Sequence, residues 1–279
     1  VSAVVVAVCA LAPRVGEAEA NRQRTCAAIA DAAGRGAQVV VVPELANSGY
    51  VFRDADEARG LAEPADGPTV AAWAALAREH DVVVAGGFCE VDDDGVLRNS
   101  AVLIDGARGV RAVHRKAHLW DREDLVFTPG DAPPPVLDTA HGRIGLMVCY
   151  DLEFPEYVRL AALAGAELLC APVNWPALAP PPAGERAGEV VRAQAAASTN
   201  RMFLAVAGRV GAERGVGWVG GSVVLDPDGF PLAGPSGSEE EVTLLAACDL
   251  AQARDKRLGD RNDALADRRP ELYGPVAGA

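Results

Sequence analysis

The chain has 279 residues, half of them apolar, and carries 26 Lys and Arg against 39 Asp and Glu, for a net charge of −13. That acidic surplus argues against a nucleic-acid partner, which needs a basic surface to displace counterions, and against docking on anionic lipid. The apolar half is enough to fill a sizeable core, which excludes extensive disorder.

In chain order, Val4–Val8 reads as a buried strand. The apolar start from Val1 to Leu11 lacks a basic leading segment and is read as strand, not signal peptide. Glu17–Ala33 has helical composition and is stopped by Gly34 and Gly36. Val39–Val42 is a second buried strand, ended by Pro43; a helix over Thr69–Glu79 feeds a third strand at Val82–Ala85. Glu90–Asn99 holds Asp-Asp-Asp-Gly between strand-like flanks, a hairpin signal continued by Ala101–Ile104 and Val110–His114.

Alternation resumes beyond residue 140. Strands are expected at Ile144–Val148, Leu168–Ala171, Met202–Ala207 and Ser222–Leu225, with helices at Glu156–Ala164 and Glu185–Asn200. Asp226–Gly229 reads as a turn and Val242–Cys248 as the last core strand. The triple prolines at 133–135 and 180–182 are loops, because the pattern resumes at once after each. Apolar strands joined through helices indicate sheets covered by helices, in an α/β chain read as one domain over 1–279. The Arg-rich stretch from about 250 to 279 has few core positions and reads as an arm over a surface or a partner subunit. No apolar run reaches the roughly 18 residues of a membrane span. Six scattered cysteines without a C-x-x-C pair point to reduced thiols in the cytoplasm.

Four positions carry chemistry. Glu44 follows Val39–Pro43 at the carboxyl end of a buried strand, where open α/β sheets place ligands; a loop or capping carboxylate is the plainer reading. Cys149 ends another buried strand and is either a nucleophile or a small core hydrophobe. Lys116 is one of only two lysines, the other being Lys256, in a chain with 24 arginines. An exposed basic patch would use Arg equally well, whereas a compact point charge needs Lys. Glu123, before Phe127-Thr128-Pro129-Gly130, otherwise reads as a surface acid.

Three other signals are weaker. His114 and His118 have metal-like spacing, but Lys116 between them repels a cation and no further ligand completes a set. Gly215–Gly220 matches G-x-G-x-x-G but precedes a strand and opens no helix. Ser222 lacks the second Gly of a nucleophile elbow.

In this order Pro43-Glu44, Arg115-Lys116-Ala117-His118-Leu119 and Cys149-Tyr150-Asp151-Leu152-Glu153-Phe154-Pro155-Glu156 resemble the nitrilase superfamily of carbon–nitrogen hydrolases, over nearly the whole chain. The resemblance implies a four-layer αββα sandwich, two mixed sheets face to face with helices outside. It also implies a Glu44-Lys116-Cys149 triad with Glu123 beside it, acting on a small amide without metal or cofactor. On this reading Cys149 attacks as a thiolate favoured by Lys116, and Glu44 is the general base. Lys116 and the Tyr150 N–H hold the oxyanion. Asn174 and Trp175 are candidate pocket walls, and Tyr50 lines the mouth. Relatives usually pair through the helix after the nucleophile and the C-terminal arm, which implies a homodimer or a higher homo-oligomer.

Departures are His114, where an aromatic is common, and Thr199, where Glu is frequent. Nitrile-cleaving members usually have Trp-Glu after the cysteine, and this chain has Tyr150-Asp151, which favours amides. An N-carbamoyl acid needs a cation, and Leu152-Glu153 stands where acid-binding relatives carry Arg; no other Arg is recognisable near Cys149. A catalytically silent binding protein is the rival of another class, but it would be expected to lack part of the triad.

Overall fold

A computed structural model describes residues 3–278; Val1 and Ser2, at the head of the expected first strand segment, and Ala279, at the tip of the expected arm, lie outside the described residues. The first half runs β1 (Val4–Ala10), α1 (Ala18–Gly34), β2 (Val39–Val41), α2 (Ala55–Arg59), α3 (Pro68–His80), β3 (Val83–Val91), β4 (Leu97–Asp105) and β5 (Gly109–Arg115). The second half runs β6 (Val136–Thr139), β7 (Gly142–Leu146), α4 (Pro155–Leu163), β8 (Leu168–Pro172), α5 (Gly188–Asn200) and β9 (Phe203–Ala207). A small ribbon, β10 (Ala212–Glu213) and β11 (Val216–Gly217), precedes β12 (Val223–Leu225), β13 (Pro231–Ala233) and β14 (Val242–Cys248). The arm carries a second ribbon, β15 (Arg257–Gly259) and β16 (Asn262–Asp263).

Two six-stranded mixed sheets result, ordered β14-β1-β2-β3-β4-β5 and β13-β12-β9-β8-β7-β6. Each contains a parallel triplet, β1-β2-β3 or β7-β8-β9, flanked by one antiparallel strand on one side and two on the other. The two halves therefore repeat one plan, with β2 and β8 as the central strands. Sheet one closes only at the end of the chain, where β14 pairs antiparallel with β1 from Val4↔Cys248 to Ala10↔Val242.

Period-two alternation explains why the strands read as unbroken apolar runs. Val6, Val8, Val39, Val41, Val83 and Ala85 face the second sheet, in one cluster with Ile144, Leu146, Leu168 and Cys170. Their neighbours Ala7, Cys9, Val40, Val42 and Val84 turn outward to Ile29 and Ala32 of α1 and to Trp73 and Ala77 of α3. Both faces are thus buried, and polar alternation has no place. Helices α4 and α5 cover the outer face of sheet two through Val158, Ala161, Ala193 and Ala197. The result is the αββα sandwich.

Most expected elements recur with shifted ends. The later helix begins at Gly188, not Glu185, because Glu185 N–H turns back to the Pro182 carbonyl at 3.0 Å as the chain leaves the triple proline. Strands β6 and β13 and the short helix α2 carry no clear signal in the sequence, being short or poor in continuous apolar residues. The second lysine finds a use at the end of α5: Lys256 Nζ donates to the Asn200 and Arg201 carbonyls at 3.1 and 2.7 Å, fixing the start of the arm to that helix. Among the described residues no helix is long and apolar enough to cross a membrane.

Candidate active site

Three loops at the strand ends converge. Glu44 lies just beyond β2, and its backbone crosses directly over Gly87 of β3: a Cβ at Gly87 would stand 2.4 Å from the Glu44 Cα. Gly87 N–H donates to the Pro43 carbonyl at 3.1 Å and Ala46 N–H to the Gly87 carbonyl at 2.8 Å, so only glycine permits this approach. Lys116 follows β5, where its N–H donates to the Asn99 carbonyl of β4 at 2.8 Å. Its own carbonyl accepts from Gly130, the last residue of the Phe127–Gly130 stretch, at 2.9 Å.

Cys149 follows β7 and opens a short 3-10 helix, Cys149–Glu153. It adopts φ +47°, a left-handed conformation costly for a side chain with a Cβ, which turns the strand sharply into that helix. No sequence signal marked this strain, since Cys has no preference for it.

The side chains meet in a buried ionic cluster. Lys116 Nζ donates to Glu44 Oε1 and to Glu123 Oε1, each at 2.8 Å. Asn99 Nδ2 donates to the same Glu44 oxygen at 2.7 Å, leaving Glu44 Oε2 without a partner among the described residues. Glu123 in turn accepts from the Tyr50 hydroxyl and from the Trp120 N–H. Glu44, Lys116 and Glu123 are all buried, so every charge here is set by its neighbours.

Burial lifts the Glu44 carboxyl to about 7 despite the opposing pull of Lys116, with the Glu123 charge adding to the rise. Such a group is divided between acid and base near neutrality. Burial acts to lower the Lys116 ammonium, but Glu123 and Glu44 outweigh it and hold the proton on. The Cys149 thiol is pushed well up by burial and by Glu44, with Lys116 pulling down only in part. This reverses the balance expected from sequence: burial and the Glu44 charge act against the thiolate, and Lys116 offsets them only in part.

Asp151 binds the loops together. It accepts from His114 Nε2 at 3.0 Å, His118 Nδ1 at 2.8 Å, and the N–H groups of Ala117, His118 and Val148 at 3.1–3.2 Å. The two histidines with metal-like spacing thus both face one carboxylate that also holds the Lys116 loop to the Cys149 turn. Burial would raise Asp151, but the bonds from His114 and His118 prevail and hold it at about 2, below the ordinary 3.8. Its contribution to stability is full above the ordinary value, vanishes as pH falls through about 2, and is worth about 2 kcal/mol. Asp151→Asn should therefore cost about 2–4 kcal/mol, since an amide cannot accept from all these donors. Urea unfolding at pH 7 measures it; a loss below about 0.5 kcal/mol would contradict this role.

The other expected residues divide. Trp175 and Tyr150 line a cavity of about 400 Å³ together with Cys149, Trp120, Glu153 and Arg192. Tyr50 lines a neighbouring cavity of similar size that shares Trp120, Pro176 and Leu178 with the first. Asn174 is not on the wall of either. It is fully buried, its Nδ2 donating to the Glu44 carbonyl at 2.8 Å and its own carbonyl 3.9 Å from Cys149 Sγ. Asn174 and Glu44 follow β8 and β2, the matching central strands of the two sheets, so the repeat places them in contact.

Besides the contacts of Asn99 and Asp151, two contributors carry no signal in the sequence. Arg192 of α5 reaches the Cys149 cavity, contrary to the expectation that no arginine lies near the nucleophile; it comes from a helix distant in sequence. Glu213, on β10, accepts from Val15, Tyr50 and Val51 N–H at 2.8–2.9 Å and from Arg209, whose guanidinium lies 4.5 Å over the Trp218 ring. It holds the backbone that carries the Tyr50 hydroxyl to Glu123. An acid in a Gly-rich hairpin gives no hint of this.

A buried carboxylate, lysine and cysteine brought together at strand ends agree with the match of residues 5–258 to the carbon–nitrogen hydrolase family. The chain belongs to that family. It is 37% identical to a nitrilase of Pyrococcus abyssi over 94% of this chain and 95% of the other. With an (R)-stereoselective amidase of a Pseudomonas species it shares 36% identity, over 95% and 91%. A variant of the amidase from Nesterenkonia sp. AN1, solved in complex with acrylamide, superposes with a TM-score of 0.80 at 28% identity, over 99% of this chain and 98% of that one. This carbon–nitrogen hydrolase is thus an enzyme of the nitrilase superfamily, amidase-like in its fold neighbours.

Proposed function

We propose that the enzyme hydrolyses a small primary amide to a carboxylic acid and ammonia through a thioester on Cys149. The carrying observation is the buried Glu44-Lys116-Glu123 cluster, whose one unpartnered carboxylate oxygen belongs to Glu44. Glu44, raised to about 7, takes the thiol proton as sulfur bonds to the amide carbon. It then returns that proton to nitrogen as the C–N bond breaks and ammonia leaves. Water attacks the thioester, giving a proton to Glu44; the C–S bond breaks and sulfur recovers the proton.

Lys116 and the Tyr150 N–H hold the oxyanion. The latter sits in the first turn of a 3-10 helix, where N–H groups have no intrahelical partner. Glu123 positions Lys116, with Tyr50 behind it. Trp175 and Tyr150 form the acyl wall, while Asn174 positions Glu44.

The relatives support an amide but keep the nitrile in view, and one relative is an N-carbamoylputrescine amidase of Solanum lycopersicum. Tyr150-Asp151, standing where nitrile-cleaving relatives usually carry Trp-Glu, supports the amide. Propionamide, propionitrile and N-carbamoyl-β-alanine compared by kcat/KM should rank the amide first. A tenfold preference for either rival, about 1.4 kcal/mol, would overturn the assignment.

We also propose that the chain acts as one hydrolase domain over 1–279, the residues from about 250 forming an arm, and works as a cytoplasmic homodimer. Exposed Leu160 and Leu163 on α4, and Leu272, Tyr273 and Val276 on the arm, support the pairing; the six unpaired cysteines support a reducing compartment.

A further inference from the structure

Glu153, Glu189 and Arg192 stand together in the wall of the cavity that holds Cys149. Glu153 ends the 3-10 helix opened by Cys149, and Glu189 and Arg192 lie one turn apart at the start of α5. Arg192 Nε is bonded to Glu153, and its Nη2 lies 3.3 Å from Glu189 Oε1. These two contacts use the Nε–Nη2 edge of the guanidinium, an edge that would otherwise grip an incoming carboxylate in a fork. The Nη1 side is turned to the helix start, where a Cβ on Gly188 would come within 3.1 Å of it. Two carboxylates against one guanidinium leave the cluster one negative charge in excess.

We propose that Arg192 is a carboxylate-reading side chain held closed by Glu153 and Glu189, so that the cavity selects amides with a cationic tail and rejects those with an anionic one. Removing Glu153 alone frees the fork and shifts selection toward tail carboxylates. This rests on the amidase reading of the same cavity.

The test compares three amides of matched length, 5-aminopentanamide, pentanamide and 4-carbamoylbutanoate, as wild-type substrates and as ligands of the Cys149→Ala protein by calorimetry. The cationic amide should exceed the anionic one by about tenfold or more in both readouts, and the ratio should shrink toward unity between low and high salt, because Arg192 is half exposed. Glu153→Gln should raise the anionic-to-neutral ratio by about tenfold, and adding Arg192→Gln should cancel that gain. Glu189→Gln, should Glu153→Gln fail to fold, must move the ratio in the same direction. A neutral amide turned over with no ordering by tail charge, or a ratio that Glu153→Gln leaves unchanged, overturns the proposal while the amidase reading stands. Preferential binding of the cationic amide without turnover of any of the three would sink the amidase reading and keep the charge selection.

Discussion

Cys149→Ala removes turnover of any amide the wild-type chain hydrolyses, by a factor on the order of 10⁴ or more. The size follows from the division of labour at the site. Glu44, Lys116 and the Tyr150 N–H can bind and polarise a carbonyl, but none can form the thioester. The fold should survive. Cys149 is nearly enclosed, its sulfur makes one long contact at 3.9 Å with the Asn174 carbonyl, and alanine keeps the Cβ already accommodated at φ +47°. Circular dichroism and the thermal midpoint should barely change, while ammonia release falls to background. Retention of more than about 5% of the rate by a protein free of wild-type contamination would remove the covalent route.

Lys116→Arg should cost about as much as Lys116→Ala, on the order of 10²–10³ in kcat/KM, although it keeps the charge. The ammonium occupies a slot closed to solvent, 2.8 Å from one oxygen of each of two carboxylates. A guanidinium is wider and planar. It must push Glu44 away from Asn99 or Glu123 away from Tyr50 to enter, and either movement displaces the base or its support. The alanine variant fails differently: two buried carboxylates lose their shared cation, at a stability cost of about 3–5 kcal/mol. Steady-state kinetics with urea unfolding separates the two, since Arg should lose rate with a smaller loss of stability. An Arg variant working near the wild-type rate would reduce Lys116 to a structural charge.

Much of this was legible in the sequence because it was local. Val39–Val42 and Leu168–Ala171 announce strands buried on both faces, and the residues just past them, Glu44 and Asn174, are where a parallel triplet delivers its side chains. Lys116 stood out because the chain otherwise uses Arg. What stayed hidden depends on contacts between distant segments. Asn99 bonds Glu44 across 55 residues, Asp151 bonds His114 across 37, and Glu213 bonds Tyr50 across 163. No local pattern records which loop lands on which. Glu153 illustrates the limit. Its acidity was readable, but its meaning changed once α5 supplied Arg192. The proton balance of Cys149 was hidden for the same reason, since it turns on how deeply the fold buries the thiol and then on the Glu44 and Lys116 charges brought beside it.

The pairing of β14 with β1 has a consequence for synthesis. Strand β1 is completed by β14, which follows every other strand of the two six-stranded sheets in the chain, so a chain emerging from the ribosome carries β1 with one edge open until Val242–Cys248 has been added. An unpaired apolar edge invites pairing with another chain. Chains that stop short of Val242 therefore hold Glu44, Lys116 and Cys149 in sequence yet keep that edge bare. Sheet one closes only once Val242–Cys248 has left the ribosome.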